Sequence, residues 1–363
     1  MTTKMIELWT NIAGAQNSNP LAIVERAAQV EADGWDGATI VDTECIAVET
    51  YVTLALCAQR TSTLKLAPGV TNPVTRHPAV TAAAIATLQL ASGGRAELGV
   101  GRGDSSLAYL GASPMPIGRF EQVLSMLQAY LRGEEVPLAD AAALLPATNA
   151  GYEKLALGEA PPASWLKWLP KDAPKVPLDV VATGPKAIGI AARVADRVSF
   201  VVGANVERLK WGMETARRAA EEAGRDPATL KFSAWVLVYP HEQIEVARKM
   251  SLAAVSSMSR FLVMNQKVVG PASAAERATL ERLGAAYDMK SHGQKGAQSD
   301  VLDPAFIDSY AIVGPTGGCL ERIQEIAALG FDRLLLSTPL PMTDRARHSY
   351  GLVVSDILPA LRK

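Results

Sequence analysis

Short apolar runs alternate with longer segments of helical periodicity along most of the chain. Eight runs have the length and residue types of buried strands. They are Met5–Thr10, Ala38–Val41, Leu64–Val70, Ala96–Val100, Leu178–Ala182, Val198–Val202, Phe232–Tyr239 and Arg333–Ser337. The first predicted helix, Leu21–Ala32, follows Asn19 as its cap and Pro20 in its first turn. Strands and helices in strict order predict a parallel sheet, and the count favours a closed (β/α)8 TIM barrel over an open doubly wound sheet.

Two segments interrupt this alternation. Residues 133–176 are rich in Ala, Pro and Trp, and we expect them to cover one barrel face because Trp165 and Trp168 need an apolar environment. A helical region rich in Ala and Ser follows the seventh strand, from Glu242 to about Met289. We therefore predict one domain over residues 1–363, with insertions at about 133–176 and 242–303 at the C-terminal face of the barrel.

Composition and charge narrow the class of protein. The chain has 36 basic and 37 acidic residues, so the electrostatic footprint of a nucleic-acid binder is absent. Its three cysteines form no CxxC motif, and an odd count argues against a disulfide framework. The sequence has neither a signal-peptide pattern nor the roughly eighteen uninterrupted apolar residues of a membrane span. We expect a cytoplasmic protein that acts on a small molecule, without nucleic-acid or membrane partners.

In a (β/α)8 barrel the reactive groups lie beyond the C-terminal ends of the strands. The second strand leads into Asp42 and Thr43, the third into Gly69-Val70-Thr71-Asn72, and the fourth into Gly101-Arg102-Gly103-Asp104. Glycine is favoured where φ must be positive or where a flat ligand touches the main chain. These glycine-containing exits of neighbouring strands therefore predict a cofactor platform.

The fifth strand leads into Ala182-Thr183-Gly184-Pro185-Lys186, at the start of a helix. Free N–H groups at a helix start, a hydroxyl, a glycine and a lysine together favour an anion such as phosphate. The alternative is an ordinary turn, in which Gly184 supplies flexibility and Pro185 begins the helix. The sequence leaves both interpretations open.

Asp42 and Asp104 are the carboxylates placed to carry chemistry. They could share one pocket as proton donors, acceptors or hydrogen-bond anchors, or each could cap the helix that follows it. Perturbed pKa values are expected if both are desolvated. A structural or solvent-exposed role is predicted for both His77 and His292, and His292 lies in a polar loop that could also approach a substrate. No pair of histidines has helical ligand spacing, so no metal centre is predicted, and the absence of a complete GxGxxG fingerprint argues against a Rossmann site.

With these residues the chain resembles the luciferase-like flavin and deazaflavin oxidoreductases, a family of (β/α)8 barrels that includes methylenetetrahydromethanopterin reductase. The resemblance runs nearly end to end. The segments that carry it are Asn72-Pro73 through Arg76-His77-Pro78, Ala86-Thr87-Leu88 to Ser92-Gly93-Gly94-Arg95, Leu98 through Asp104, Gly184-Pro185, Ala195-Asp196-Arg197 and Gly330-Phe331-Asp332-Arg333. The nearest likeness is to the branch that uses coenzyme F420, a deazaflavin that transfers hydride.

The resemblance assigns roles to the strand exits. Gly69-Val70 matches a bulge with a non-prolyl cis peptide that backs the cofactor ring, and Thr183 to Lys186 match the segment that holds the cofactor phosphate. Asp42 matches an acidic position near the reactive ring, and Asp104 a carboxylate near the substrate in some sugar-phosphate dehydrogenases of the branch. Thr43 stands where those dehydrogenases have a catalytic histidine.

This departure makes the reductases of the family the better model. The resemblance therefore implies an F420-dependent reductase that transfers hydride between the deazaflavin and a small organic substrate. An FMN-dependent monooxygenase and a non-catalytic cofactor-binding barrel remain the alternatives. A homodimer is also expected from the resemblance.

Overall fold

A ring of eight parallel strands forms the centre of the computed structural model, which describes residues 5–14, 19–146 and 151–362. The strands are β1 (Glu7–Ala13), β2 (Gly37–Ile40), β3 (Lys65–Pro68), β4 (Leu98–Val100), β5 (Leu178–Ala182), β6 (Arg197–Phe200), β7 (Lys231–Pro240) and β8 (Arg333–Ser337). Neighbours pair in the order β3-β2-β1-β8-β7-β6-β5-β4. Bridges from Leu66 to Ala96 and from Thr71 to Val100 join β3 to β4. The predicted (β/α)8 barrel is confirmed, and the open-sheet alternative is wrong.

Helices on the outside of the ring connect the strands. The longer ones are Pro20–Ala32, Thr50–Arg60, Pro78–Ala91, Ile117–Leu131, Pro185–Val194, Val206–Glu222, Ile244–Ser259, Ala274–Ala286, Thr316–Ala327 and Asp344–Leu352. Short helices are Ser105–Tyr109, Leu138–Ala142, Ala297–Asp300, Pro304–Tyr310 and Leu358–Leu361, and short strands are Val136–Pro137, Ala163–Ser164 and Ile312–Gly314. The Asn19 side chain accepts N–H bonds from the first turn of its helix, with Pro20 beside it, which confirms the predicted cap. None of the described helices has the length and hydropathy to cross a bilayer.

The alternation of side chains along the strands separates two environments. Leu334 and Leu336 of β8 belong to the core between the strands and the helices. Leu335, which points the other way, packs inside the ring in a separate buried cluster with Trp9, Ala67 and Trp235. Side chains therefore fill this part of the barrel interior.

Aspartates that immediately precede β2, β6 and β8 fix the N-terminal end of the ring. Asp36, Asp196 and Asp332 each accept a backbone N–H from the start of an adjacent strand. The donors are Leu8, Leu178 and Phe232, at 2.7, 2.7 and 2.8 Å. These bonds satisfy N–H groups that a strand start would leave unpaired, and they explain the Ala195-Asp196-Arg197 and Asp332-Arg333 motifs as structural features of the barrel.

The segment between residues 133 and 176 meets the start of the helix Pro78–Ala91 at Ala141. His77 Nε2 lies 2.9 Å from the Ala141 carbonyl oxygen, and Nδ1 of the same ring accepts the Ala79 N–H, so the predicted structural role of His77 is confirmed. The expectation of an apolar environment for both tryptophans is wrong. Trp168 is 47 % exposed, whereas the neighbouring Leu166 is buried.

The helical region predicted from Glu242 to about Met289 is not continuous. It divides into the helices Ile244–Ser259 and Ala274–Ala286. Gly270, with φ of +75°, stands between them and precedes Pro271. A positive φ and a missing N–H both end a helix, so this pair prevents one long element. The division leaves Arg260 at the end of the first helix, where it contacts the mouth of the barrel.

Candidate active site at the C-terminal mouth

Asp42 lies directly after β2 with its carboxylate buried. Its Oδ2 accepts hydrogen bonds from Thr71 Oγ1 at 2.6 Å and from Arg76 Nη1 at 2.7 Å. Burial raises the pKa of Asp42 even though Thr71 and Arg76 favour the ionised form. The following helix is capped by Glu49, which accepts the Val52 N–H at 2.6 Å. The capping alternative is therefore wrong for Asp42.

Arg76 joins Asp42 to the surface of the mouth. Its Nη2 donates to Glu49 Oε1 at 2.8 Å, and its guanidinium lies 5.0 Å from the centre of the Tyr51 ring. Thr43, the residue found in place of a histidine, is 9 % exposed, and its carbonyl accepts the N–H groups of the turn that follows. The Thr43 hydroxyl makes no hydrogen bond with the described residues, which leaves it available to a ligand.

The peptide bond between Gly69 and Val70 is cis, which confirms the expectation from the resemblance. The glycines around it have packing reasons of their own. An added Cβ would lie 2.6 Å from Thr39 at Gly69, 2.3 Å from the Pro68 carbonyl oxygen at Gly99, and 3.0 Å from Val70 at Gly101. Close approach of β2, β3 and β4 accounts for these three glycines, so their presence is not by itself evidence of a ligand. Gly69 and Val70 are half-buried, whereas Gly101 is buried behind Val70.

Thr71 and Asn72 are buried beneath the surface that Gly69 and Val70 form. Each is 1 % exposed, with Thr71 bonded to Asp42 as described. Asn72 Nδ2 donates to Ser106 Oγ at 3.0 Å and its Oδ1 accepts the N–H groups of Val74 and Thr75. The exits of β3 and β4 are therefore joined by side-chain contacts, as their predicted proximity requires.

Asp104 follows β4 and forms an ion pair with Arg260 Nη2. Its side chain makes no capping bond to the helix Ser105–Tyr109, so the capping alternative is wrong here too. Burial raises the pKa of Asp104 against the nearby charges of Arg260 and Arg102. Asp42 and Asp104 are thus both desolvated, and each lies against an arginine of its own.

A hydrogen-bonded cluster holds the 242–303 segment against this exit. Arg260 donates to Ser105 Oγ at 3.0 Å, and Ser105 Oγ lies 2.8 Å from His292 Nε2. His292 Nδ1 lies 2.6 Å from the Tyr287 hydroxyl. Burial and the charge of Arg260 lower the pKa of His292 to about 4, so the ring is neutral at pH 7 and donates through one nitrogen while it accepts through the other.

The exit of β5 differs from those of β3 and β4 because no described residue packs against its glycine, Gly184. Gly184 has φ of −91°, and a Cβ added there would meet nothing within 4 Å. Neither backbone nor packing demands glycine at this position. The helix Pro185–Val194 has no side-chain cap, and the Lys186 ammonium is exposed, without a hydrogen bond or ion pair to the described residues. We call this combination of uncapped N–H groups, open approach and cation the anion cradle, because these features would favour an anion.

The side chains of Thr183 and Ala182, the other two predicted residues of the β5 exit, make contacts within the protein. Thr183 Oγ1 donates to the Val201 carbonyl at 3.2 Å. The Ala182 side chain lies in the core between strands and helices, so only its backbone faces a ligand.

Sequence reasoning missed Arg260 and Tyr287 as site residues. They stand 156 and 183 positions beyond Asp104, in a segment rich in Ala and Ser, and no local motif marks either one. Arg76 was noted only as part of a motif. The local sequence signal for Arg76 was its position between the glycine-containing exit of β3 and the start of the next helix.

Comparisons with known proteins agree with this architecture. A family model described as luciferase-like monooxygenase matches residues 5–333. The chain is 26 % identical over 338 residues to 5,10-methylenetetrahydromethanopterin reductase of Methanolobus tindarius, an alignment that covers 91 % of this chain and 94 % of the relative.

Two solved structures share the fold over nearly the whole chain. The coenzyme F420-dependent tetrahydromethanopterin reductase of Methanopyrus kandleri superposes with a TM-score of 0.73 at 23 % identity and covers 98 % of this chain and 99 % of its own. An F420-dependent secondary alcohol dehydrogenase, solved with an F420-acetone adduct, gives a TM-score of 0.72 at 16 % identity, with 99 % and 100 % covered.

The barrel and its relatives define the class of the protein, an oxidoreductase built on a (β/α)8 scaffold. Within that class the chain belongs to the luciferase-like monooxygenase family.

Proposed function

We propose that the protein is a coenzyme F420-dependent reductase that transfers hydride from the reduced deazaflavin to a small organic acceptor. The observation that carries the proposal is one barrel mouth that combines the anion cradle at Gly184 with two desolvated carboxylates, Asp42 and Asp104. Similarity to a methylenetetrahydromethanopterin reductase over 91 % of the chain supports F420 as the cofactor and reduction as the direction.

The residues of the β5 exit fit a phosphorylated cofactor. The phosphate would lie at the uncapped start of the helix Pro185–Val194, where open space above Gly184 lets an anion approach the main chain. Lys186 would supply a positive charge, and the Thr183 hydroxyl a further polar contact. The ring would lie against Gly69 and Val70, with Thr71, Asn72 and Gly101 holding that surface from behind. Reduced F420 supplies the hydride when it is bound.

The carboxyl groups of Asp42 and Asp104 would stabilise or neutralise the negative charge that hydride transfer creates on the acceptor. Addition of hydride leaves negative charge on the acceptor, and a nearby acid or hydrogen-bond donor stabilises it. Burial raises the pKa values of Asp42 and Asp104, which makes both groups better proton donors near neutral pH than exposed aspartates. The hydroxyl of Thr43 would orient the acceptor or relay a proton.

Water must be kept from the reacting groups. Arg260 and His292 hold the 242–303 segment against the β4 exit, and Tyr109 adds a hydrogen bond of 2.7 Å to the Met289 carbonyl. Together with the 133–176 segment, this insertion would cover the bound substrate.

Separate binding titrations with F420 and with FMN test the cofactor. We expect F420 to bind and the Lys186→Ala variant to bind it more weakly. Tight FMN binding without F420 binding rejects the proposal. Asp104→Asn is the matching test of catalysis, because it keeps the shape of the side chain. Turnover unchanged by this substitution would exclude Asp104 from the reaction, whereas an unmodified protein that binds the cofactor but turns over no acceptor would favour a non-catalytic barrel.

An FMN-dependent monooxygenase is the second candidate, and the description of the matched family favours it. The anion cradle would suit the phosphate of FMN as well as that of F420. Oxygen uptake coupled to product formation in the presence of reduced FMN distinguishes the monooxygenase from the reductase.

We also propose a homodimer. Three neighbouring helices, Pro20–Ala32, Thr50–Arg60 and Pro78–Ala91, expose large apolar side chains to solvent. These are Leu21, Val52, Leu56 and Val80, at 66, 62, 41 and 55 % exposure. An apolar surface of this kind suits an isologous interface with a second copy. Sedimentation velocity of Val52→Lys against the unmodified protein tests it; a monomeric unmodified protein contradicts the proposal.

A further inference from the structure

Two of the four histidines of the chain meet at one carboxylate outside the proposed active site. His348 Nε2 lies 2.9 and 3.0 Å from the two carboxylate oxygens of Glu242. His241 Nδ1 lies 3.5 Å from Glu242 Oε2, and the two imidazole rings are 5.4 Å apart in a T-shaped arrangement. One potential ligand atom from each residue falls within 4.8 Å of the other two.

These separations match the edges of a metal coordination shell. Ligand atoms bound to Zn2+ at about 2.0–2.1 Å with tetrahedral angles lie about 3.3 Å from one another. The nitrogen-to-carboxylate distances of 2.9 to 3.5 Å bracket that value. Two imidazoles with one carboxylate form a ligand set that divalent transition metals, zinc in particular, prefer.

We propose that His241, Glu242 and His348 form a binding site for a divalent transition-metal ion, with Zn2+ the best match. Water would complete the coordination, since the side chains of Glu242 and His348 are 63 and 48 % exposed. The sequence gives no hint of this site, because His348 stands 106 positions after Glu242 and comes near it only through the fold.

The placement of the site indicates what the ion would do. His241 and Glu242 directly follow β7, and His348 lies in the middle of the helix Asp344–Leu352, which follows β8. A bound ion would tie the ends of these two βα units together. Because the site exists only in the folded chain, metal binding must stabilise the fold.

One existing contact competes with the ion. The Gln243 N–H donates to His241 Nδ1 at 3.0 Å. Coordination through Nδ1 replaces that hydrogen bond, and the freed N–H is at an exposed loop where water can accept it. A neutral hydrogen bond contributes far less than a metal–imidazole bond, so the exchange does not prevent binding.

Calorimetric titration with Zn2+ tests the proposal, and Co2+ provides an optical readout of the same site. The exposed thiol of Cys45 is a competing ligand, so all measurements use a Cys45→Ser background. We expect one equivalent of Zn2+ to bind and to raise the melting temperature. Glu242→Gln and His348→Ala should each weaken Zn2+ binding by about tenfold or more, with comparable melting temperatures in the absence of metal.

Glu245→Gln is the matched control, because Glu245 is an exposed carboxylate three residues from Glu242 that pairs with Arg248 instead. It should leave Zn2+ affinity within about twofold of the unmodified value. Zn2+ affinity unchanged in both Glu242→Gln and His348→Ala overturns the proposal, as does the absence of stoichiometric binding to the unmodified protein. The outcome does not depend on the proposed reductase activity, since no measurement uses cofactor or substrate.

Discussion

The two ends of the barrel handle buried charge in opposite ways. At the N-terminal end, Glu97 accepts from Arg197 at 2.5 Å and from Arg333 at 2.9 Å, while Arg333 also pairs with Asp179. At the C-terminal mouth, burial raises the pKa values of Asp42 and Asp104 despite their arginine partners. Carboxylates at one end share their arginines within a network, whereas each carboxylate at the other end has an arginine of its own and a pKa raised by burial.

The polar contacts also differ between the two ends of the barrel. The buried network is completed by Ser199, which donates to Asp179 at 2.7 Å, and by Ser233, which accepts from Arg333 at 3.1 Å. At the mouth, Lys186 instead has no hydrogen-bond or ion-pair partner among the described residues, and the space above Gly184 is open. A (β/α)8 barrel separates stability from chemistry along its axis. This chain shows that separation in its charges: the ion pairs at the N-terminal end form one shared network, whereas the proposed ligand site has open space and an exposed lysine.

Arg333→Met should have the largest effect on this comparison. It removes the cation shared by Glu97 and Asp179 and leaves two buried carboxylates short of a partner. We expect a loss of about 3–5 kcal/mol in the free energy of unfolding, measured by urea denaturation. The control is Arg347→Met, whose arginine is exposed and pairs with the exposed Asp344; it should change stability by less than about 0.5 kcal/mol. Equal stabilities of the two variants would contradict the role of the network.

Glu31→Gln tests a carboxylate that holds the entry to β3. Its Oε1 accepts the N–H groups of Ser62, Thr63 and Leu64 at 2.9, 2.6 and 2.8 Å. Burial opposes ionisation, but these N–H groups outweigh it and lower the pKa of Glu31 to about 2. We expect Glu31→Gln to cost about 1–3 kcal/mol at pH 7.

The pH dependence of the unfolding free energy of Glu31→Gln shows whether the charge of Glu31 provides this stabilisation. Because the folded pKa lies below the unfolded value of 4.5, the stabilisation by the ionised group is complete above that value and is lost as the pH falls through about 2. The difference in unfolding free energy between Glu31→Gln and the unmodified protein should therefore shrink between pH 4.5 and about 2. A difference that does not depend on pH would mean that packing, and not charge, stabilises this loop. Glu25→Gln serves as the exposed control.

The barrel itself was accessible from sequence because its signals are local. The predicted strands Leu178–Ala182 and Arg333–Ser337 coincide with β5 and β8. Each is a short apolar run flanked by polar residues, so hydrophobic periodicity alone locates it. The helical region predicted from Glu242 to about Met289 contains two helices, and the Gly270-Pro271 pair between them was visible in the sequence.

The candidate site could be predicted only in part from the sequence. The resemblance pointed to the cis peptide at Gly69, but glycine is ambiguous in a sequence. Gly101 is explained by its approach to Val70, whereas Gly184 has no packing reason, and only the fold separates these cases. The pairing of Arg260 with Asp104 links residues 156 positions apart. No propensity or spacing rule reaches across that distance.

Gly184→Ala sharpens the contrast at the mouth. The new methyl group meets no protein atom, so folding should be unchanged, but it fills the space through which an anion reaches the main chain. We expect the dissociation constant of the bound cofactor, F420 or FMN, to rise about tenfold, equivalent to about 1.4 kcal/mol. The control is Gly317→Ala, which also faces open space at a helix start and should leave cofactor affinity unchanged. Equal cofactor affinities of the two variants would remove the anion cradle from the proposal.

Arg260→Gln should have the smallest effect, a displacement of the pH profile of turnover. The charge of Arg260 lowers the pKa of Asp104, against the larger effect of burial. Without that charge the pKa of Asp104 must rise, so the limb of the profile that reports Asp104 should move to higher pH, whether the group acts as a proton donor or as an ionised anchor. Asp104→Asn should abolish that limb. Arg282→Gln is the control from the same insertion, since Arg282 is 53 % exposed and lies 3.8 Å from Asp303. A profile that Arg260→Gln leaves in place would show that Asp104 does not titrate in turnover and would assign it a purely structural role at the mouth.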